Sequence, residues 1–185
     1  FGTPKEHQFK NGLTLMVVEN HKLPQVSASL RIDNPLSVEG EKAGVSGLLS
    51  SMMGKGSKNV PKDEFEEEVD FMGARLSVNA EGTYANSLKR YFPRVLEMMA
   101  DATLHPDFLA EEFQKEVDKT LEGLKSTEKD VKTAARRVEN LLSYGKDHPY
   151  GEYVSEESIN KISIDDLLQL YQKNFHAQNA YITIV

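Results

Sequence analysis

The sequence predicts an α+β fold: a mixed, mainly antiparallel sheet with helices packed on one face. Two observations carry this. The β-forming stretches gather in the first half of the chain and pair as hairpins, and from Phe92 onward helical periodicity takes over in a run before a last strand-like segment. The length of 185 residues suits one domain with its own core, so residues 1–185 are read as a single domain.

The elements follow in order. "LTLMVVEN", just after the turn dipeptide Asn11-Gly12, is rich in β-formers, and "QVSASLRID" alternates Val26, Ala28, Leu30 and Ile32 on one face. The stretch "GVSGLLSSMMGKGS" from Gly44 to Ser57 reads as a helix. "PKDEFEEEVDFMG" is a second one, with Pro61 at its start, acids in its first turn and Gly73 closing it. "ARLSVNAEG" and "TYANSLKRYF" form a predicted hairpin around Glu81-Gly82, with Leu76 and Val78 assigned to opposite faces. Val95, Leu96, Met99 and Leu104 mark a helix that stops at His105-Pro106. Apolar positions from Leu109 to Leu142 keep helical spacing and are broken by Gly123 and the cap-like "STEKD", which predicts two consecutive helices. "SIDDLLQLYQKNF" opens on the candidate N-cap Ser163, and "AYITIV" is a strand.

Composition removes several function classes. The net charge of −7 is spread along the chain, with no basic cluster interleaved with aromatics, which argues against nucleic acid as a partner. Without cysteine there are no disulfides, iron–sulfur clusters or thiolate zinc sites, and the compartment stays open. No apolar run reaches the roughly 20 residues of a membrane span. The chain starts at Phe1 and ends within a strand, which suggests a fragment of a longer subunit.

In "GVSGLLSSMMGKGS", Val45, Leu48, Leu49, Met52 and Met53 form one apolar stripe, while Gly47, Ser50, Ser51 and Gly54 line a second face with the smallest side chains available. Together with "NGLTLMVVEN", "HKLPQVSASLRI", "FMGARLSVNAEGTYA", "LHPDF" and "HPYG", this helix resembles the N-terminal domain of the insulinase/pitrilysin family. That family comprises the inverted-motif zinc peptidases and includes mitochondrial processing peptidase and the core subunits of the respiratory bc1 complex. The resemblance spans nearly the whole chain.

The resemblance implies that catalytic members carry H-x-x-E-H on this helix. Two imidazoles at i and i+4 chelate zinc there, and the Glu activates the bound water. By position Gly47 and Ser51 stand for the histidines and Ser50 for the general base. A missing side chain and two hydroxyls cannot do this chemistry near neutral pH. The third ligand is a later Glu, seven residues beyond another acid; aligning Glu116 with that acid puts Gly123 at the ligand position, with Glu122 beside it. The five histidines, His7, His21, His105, His148 and His176, supply no compensating pair at helical spacing. No metal is therefore expected in this chain, and zinc would reside in a catalytic partner.

In active relatives the strand matching "ARLSVNAEG" is a sheet edge that pairs with the substrate backbone, often through an Asn-Ala step. Ser77-Val78 stand at that step here, and Arg75, Ser77, Val78 and Asn79 are the candidate peptide-binding residues. Main-chain pairing can survive the change; the alternative is a strand covered by a neighbour. Other features have plainer readings: "DEFEEEVD" as a solvated helix face, Glu116, Glu122 and Glu128 as surface charges, and Met52, Met53, Met98 and Met99 as core filler.

The expected function is that of a non-catalytic family subunit, inactive alone, that binds extended peptides or completes the chamber of a zinc metallopeptidase. Its partner would be a catalytic subunit of the same family, in a heterodimer of two-domain subunits, so an exposed apolar partner surface is expected. The alternative is an active zinc metalloendopeptidase whose metal site lies elsewhere in the chain or in a partner.

Overall fold

The computed structural model describes residues 2–127 and 129–185; Glu128, read above as a surface charge, lies outside them. In chain order the elements are β1 (Lys5–Gln8), β2 (Thr14–Val17), β3 (Gln25–Ile32), α1 (Val45–Met53), α2 (Lys62–Phe71), β4 (Arg75–Asn79), β5 (Gly82–Leu88), α3 (Phe92–Leu104), α4 (Ala110–Thr127), α5 (Val131–Tyr144), α6 (Glu156–Asn160), α7 (Ile164–Asn174) and β6 (Ala180–Ile184). The chain is α+β.

The described residues group into two compact units. The first holds the stretch ending at Asn34, Ser50–Asp107 and Tyr171–Val185, and the second holds Pro35–Leu49 and Phe108–Leu170. The first contains the whole sheet, in the strand order β1-β2-β6-β3-β5-β4. Neighbours are antiparallel except β2 and β6, which run parallel.

Register assigns the faces, because directly opposed residues share one. Leu76, Ala85, Ala28 and Ile184 lie in one cross-strand row and Val78, Thr83, Leu30 and Ile182 in the next. Ala28, Val78 and Ala85 are buried on this face, as are Met52, Met53, Phe65, Val95, Met98 and Met99 of the same unit, so the four methionines do fill the core. Leu76 and Val78 therefore share the core face. Their assignment to opposite faces fails because strand side chains alternate with a period of two.

The helix ends in this unit are marked by chemistry legible in the sequence. Pro61 caps α2, and Gly73 ends it with a positive φ of 57°. Arg94 of α3 clasps Glu68 of α2 with both prongs, Nε to Oε1 at 2.6 Å and Nη2 to Oε2 at 2.7 Å, and this hydrogen bonding holds the Glu68 carboxyl below its usual range. At the β4–β5 turn a side chain on Gly82 would meet the Leu30 carbonyl at 2.1 Å, so only glycine lets β3 pack there.

In the second unit α4 packs against α6, and α6 against the short 3-10 turn Gly40–Lys42. Leu48, Leu49, Val117, Ile159 and Leu167 are among its buried apolar residues. Two elements go beyond the sequence reading. β1 is a wholly exposed polar strand, and α6 is a five-residue helix set by a capping box between Ser155 and Ser158. Gly123 lies inside α4 and does not interrupt it.

Candidate functional site

Three sets of contacts hold α1. Before it, the Glu152 carboxylate accepts from the backbone N–H groups of Glu39 and Gly40. The Glu39 carboxylate then accepts from Gly44 N at 2.6 Å and Ser46 N at 3.1 Å, serving the unpaired donors at the helix start. Glu152 can reach this place because the "HPYG" loop closes on itself: a side chain on Gly151 would sit 1.8 Å from the Gly145 carbonyl. Past the helix, Ser57 donates to Asp101 of α3, Lys58 N donates to the His105 carbonyl, and Ser57 bridges to Pro106. The "MMGKGS" and "LHPDF" segments thus meet.

The third contact comes from the small-residue face itself. Ser50 Oγ accepts the Ala80 N–H at 3.1 Å, at the end of β4. Gly47, Ser50 and Ser51 stand at i, i+3 and i+4, so they share this face; Gly47 is exposed and the serines are half-buried. A side chain on Gly47 would find no atom within 4 Å, and the same holds for Gly123 in α4. Glu122 is an exposed charge as expected, but Glu116 is not: it is buried in α4, 3.8 Å from Lys119, because it turns onto the packed face of that helix beside Val117. Among the described residues no group of three or more His, Asp or Glu converges on a point. Two hydroxyls, one of them already accepting a backbone hydrogen bond, and a glycine do not fit a zinc ion, which needs imidazole, carboxylate or thiolate donors.

The candidate peptide-binding strand lies at the end of the sheet, paired with β5 on one side. Arg75 and Ser77 are exposed. Val78 turns its side chain into the core, so it offers a peptide only its main chain. Asn79 Oδ1 accepts the Glu81 N–H at 2.9 Å and shapes the β4–β5 turn. Two histidines also serve local structure. His105 Nδ1 lies 2.9 Å from Asp101, and His148 Nδ1 accepts the Tyr150 N–H at 3.1 Å.

Sequence periodicity identifies α5 as an amphipathic helix but leaves open which way it faces. No residue of it is buried: Thr133, Arg137 and Asn140 are its half-buried positions, while Val131, Ala134, Ala135, Val138 and Leu142 are exposed. Val131 is 80% exposed and Leu142 82%. The apolar stripe faces outward.

The family model described as Insulinase (Peptidase family M16) matches residues 15–152, well over half of the chain. The chain belongs to that family. Among curated relatives of this M16 chain, subunit 1 of the mitochondrial cytochrome b-c1 complex of Bos taurus is 26% identical over 179 residues, covering 92% of this chain and 36% of the relative. A probable mitochondrial-processing peptidase subunit beta of Schizosaccharomyces pombe is 26% identical over 182 residues, covering 94% and 39%. The alpha subunit of the mitochondrial-processing peptidase of Solanum tuberosum is 25% identical over 140 residues, covering 72% and 27%. The M16 chain thus spans less than two-fifths of the length of these relatives. In fold it matches the crystal structure of a peptidase M16 inactive domain from Pseudomonas fluorescens with a TM-score of 0.85 at 22% identity, over 99% of this chain and 46% of that one. A protease from Helicobacter pylori matches with a TM-score of 0.76 at 18% identity, over 100% and 46%. At those identities the likeness concerns fold alone.

Proposed function

We propose that this M16 chain is a non-catalytic subunit or half-subunit: it holds an extended peptide along β4 and joins a zinc-bearing relative through the outward face of α5. The observation that carries the reading is α1. Its supporting contacts at both ends are in place, yet its open face presents Gly47, Ser50 and Ser51, which occupy the positions of the two zinc histidines and the general base in catalytic members. Ser50 takes a structural role there, bonding the Ala80 N–H. By the resemblance, Gly123 stands at the position of the third ligand, with Glu122 beside it, and the zinc of the assembly belongs to the partner.

Two further observations support the assembly side. The relatives include mitochondrial-processing peptidase subunits of both kinds, an alpha subunit from one organism and a probable beta subunit from another. An exposed stripe such as that of α5 is uncommon on a monomer unless another surface covers it. The test is to mix the purified chain with an H-x-x-E-H family member encoded beside it or copurified with it, and to follow cleavage of an unfolded peptide pool. The chain should be inert alone and should raise the partner's rate. Chelator-sensitive cleavage by the chain alone would overturn the reading.

A further inference from the structure

The strand face opposite the core has its own chemistry. Arg75, Asn86 and Ser27 form one cross-strand row, and Ser77, Tyr84, Ser29 and Thr183 form the next. Asn86 Nδ2 donates to Ser27 Oγ at 2.8 Å across the first row, so these side chains do share the face. Ser29, Ser77, Tyr84 and both arginines of these strands, Arg31 and Arg75, are exposed. The protein has 29 acidic and 22 basic residues, yet β3, β4, β5 and β6 contain no Asp or Glu. Arg31 and Arg75 have no carboxylate partner among the described residues.

A strand added beside β4 would place alternate side chains against this face, each opposite one β4 residue at cross-strand distance. The side chain opposite Arg75 would meet a guanidinium, and the one two residues away would meet the Ser77 hydroxyl. The side chain between them would lie over half-buried Leu76, on the apolar side. At the far end of β4, Glu81 in the turn makes an acid unwelcome.

Resting on the reading of β4 as a peptide edge, we propose that this edge selects acidic peptides with the pattern acid, apolar, polar, the acid seated opposite Arg75. The complementarity is local, since the chain as a whole is anionic and would favour basic peptides on net charge alone.

The probe is an acetylated, fluorescein-labelled eight-residue peptide of alternating valine and threonine with one central glutamate, compared by anisotropy with the same peptide carrying lysine. The glutamate peptide should bind about fivefold more tightly at low salt, and the difference should shrink at ~1 M NaCl. Arg75→Glu should invert the preference and Arg75→Gln should abolish it; the residue is exposed, so both variants should fold. If both peptides bind equally and Arg75→Glu changes nothing, the acidic subsite is wrong while the peptide edge stands. If neither peptide binds the wild-type chain, the edge reading fails and takes the subsite with it.

Discussion

Ser50 and Asp101 show how single side chains fix the surroundings of α1. Ser50 Oγ is an acceptor for the Ala80 N–H, so Ser50→Ala leaves a backbone donor at the end of β4 without its partner. The expected cost is about 1 kcal/mol in urea unfolding. Asp101 is buried except for 21% of its side chain, and it accepts hydrogen bonds from Ser57 and Asn59 and lies beside His105. Burial pushes its carboxyl up, but the bonds from Ser57, Asn59 and His105 outweigh that and hold it below the usual range. A lowered folded-state pKa means that Asp101 adds stability in full above its unfolded value, near 3.9, and that this is lost as pH falls through the folded value. Asp101→Asn should therefore cost roughly 1.5–3 kcal/mol at pH 7 and leave a protein whose stability falls less steeply below about pH 4. Unfolding curves at pH 7 and in the acid range would show this; parallel pH profiles for variant and wild type would contradict it.

At the scale of elements, α5 is the surface to test. Leu142→Asp sits on the outward stripe and touches no core, so it should change stability by no more than about 0.5 kcal/mol. It should still abolish association with the zinc-bearing partner proposed above in sedimentation velocity; retained association would move the interface elsewhere. The elements that were legible in the sequence are those with strong periodicity or marked ends. Val26, Ala28, Leu30 and Ile32 alternate and form β3, Pro61 and Gly73 bracket α2, and His105-Pro106 ends α3. β1 carries no signal in the sequence because its residues are polar and exposed, so no apolar alternation announces it. α6 is not legible because five residues around one capping box carry no period. The direction of the α5 stripe was hidden for a different reason: a helical period shows that a face is apolar, and the tertiary fold decides what covers it. At the candidate site the sequence located α1 and β4. The bond between Ser50 and Ala80, and the acid-free sheet face around Arg75, needed the register to be known.

At the scale of the whole molecule, the M16 chain keeps the machinery that positions α1. The Glu152 and Glu39 carboxylates serve the backbone before it, and the Ser57–Asp101 contact ties the segment after it. The face of α1 that carries Gly47, Ser50 and Ser51 offers a zinc ion no imidazole, carboxylate or thiolate donor. On the proposed reading, a chain of this kind keeps its fold and its sheet edge while the zinc chemistry resides in a partner. The measurement that bears most directly on this is the zinc content of the purified chain after saturation with zinc and removal of the excess, read by mass spectrometry beside cleavage of an unfolded peptide pool. The expected result is far less than one zinc per chain and no cleavage. One tightly held zinc per chain with chelator-sensitive cleavage would contradict it and place an active metal site on a ligand set outside α1.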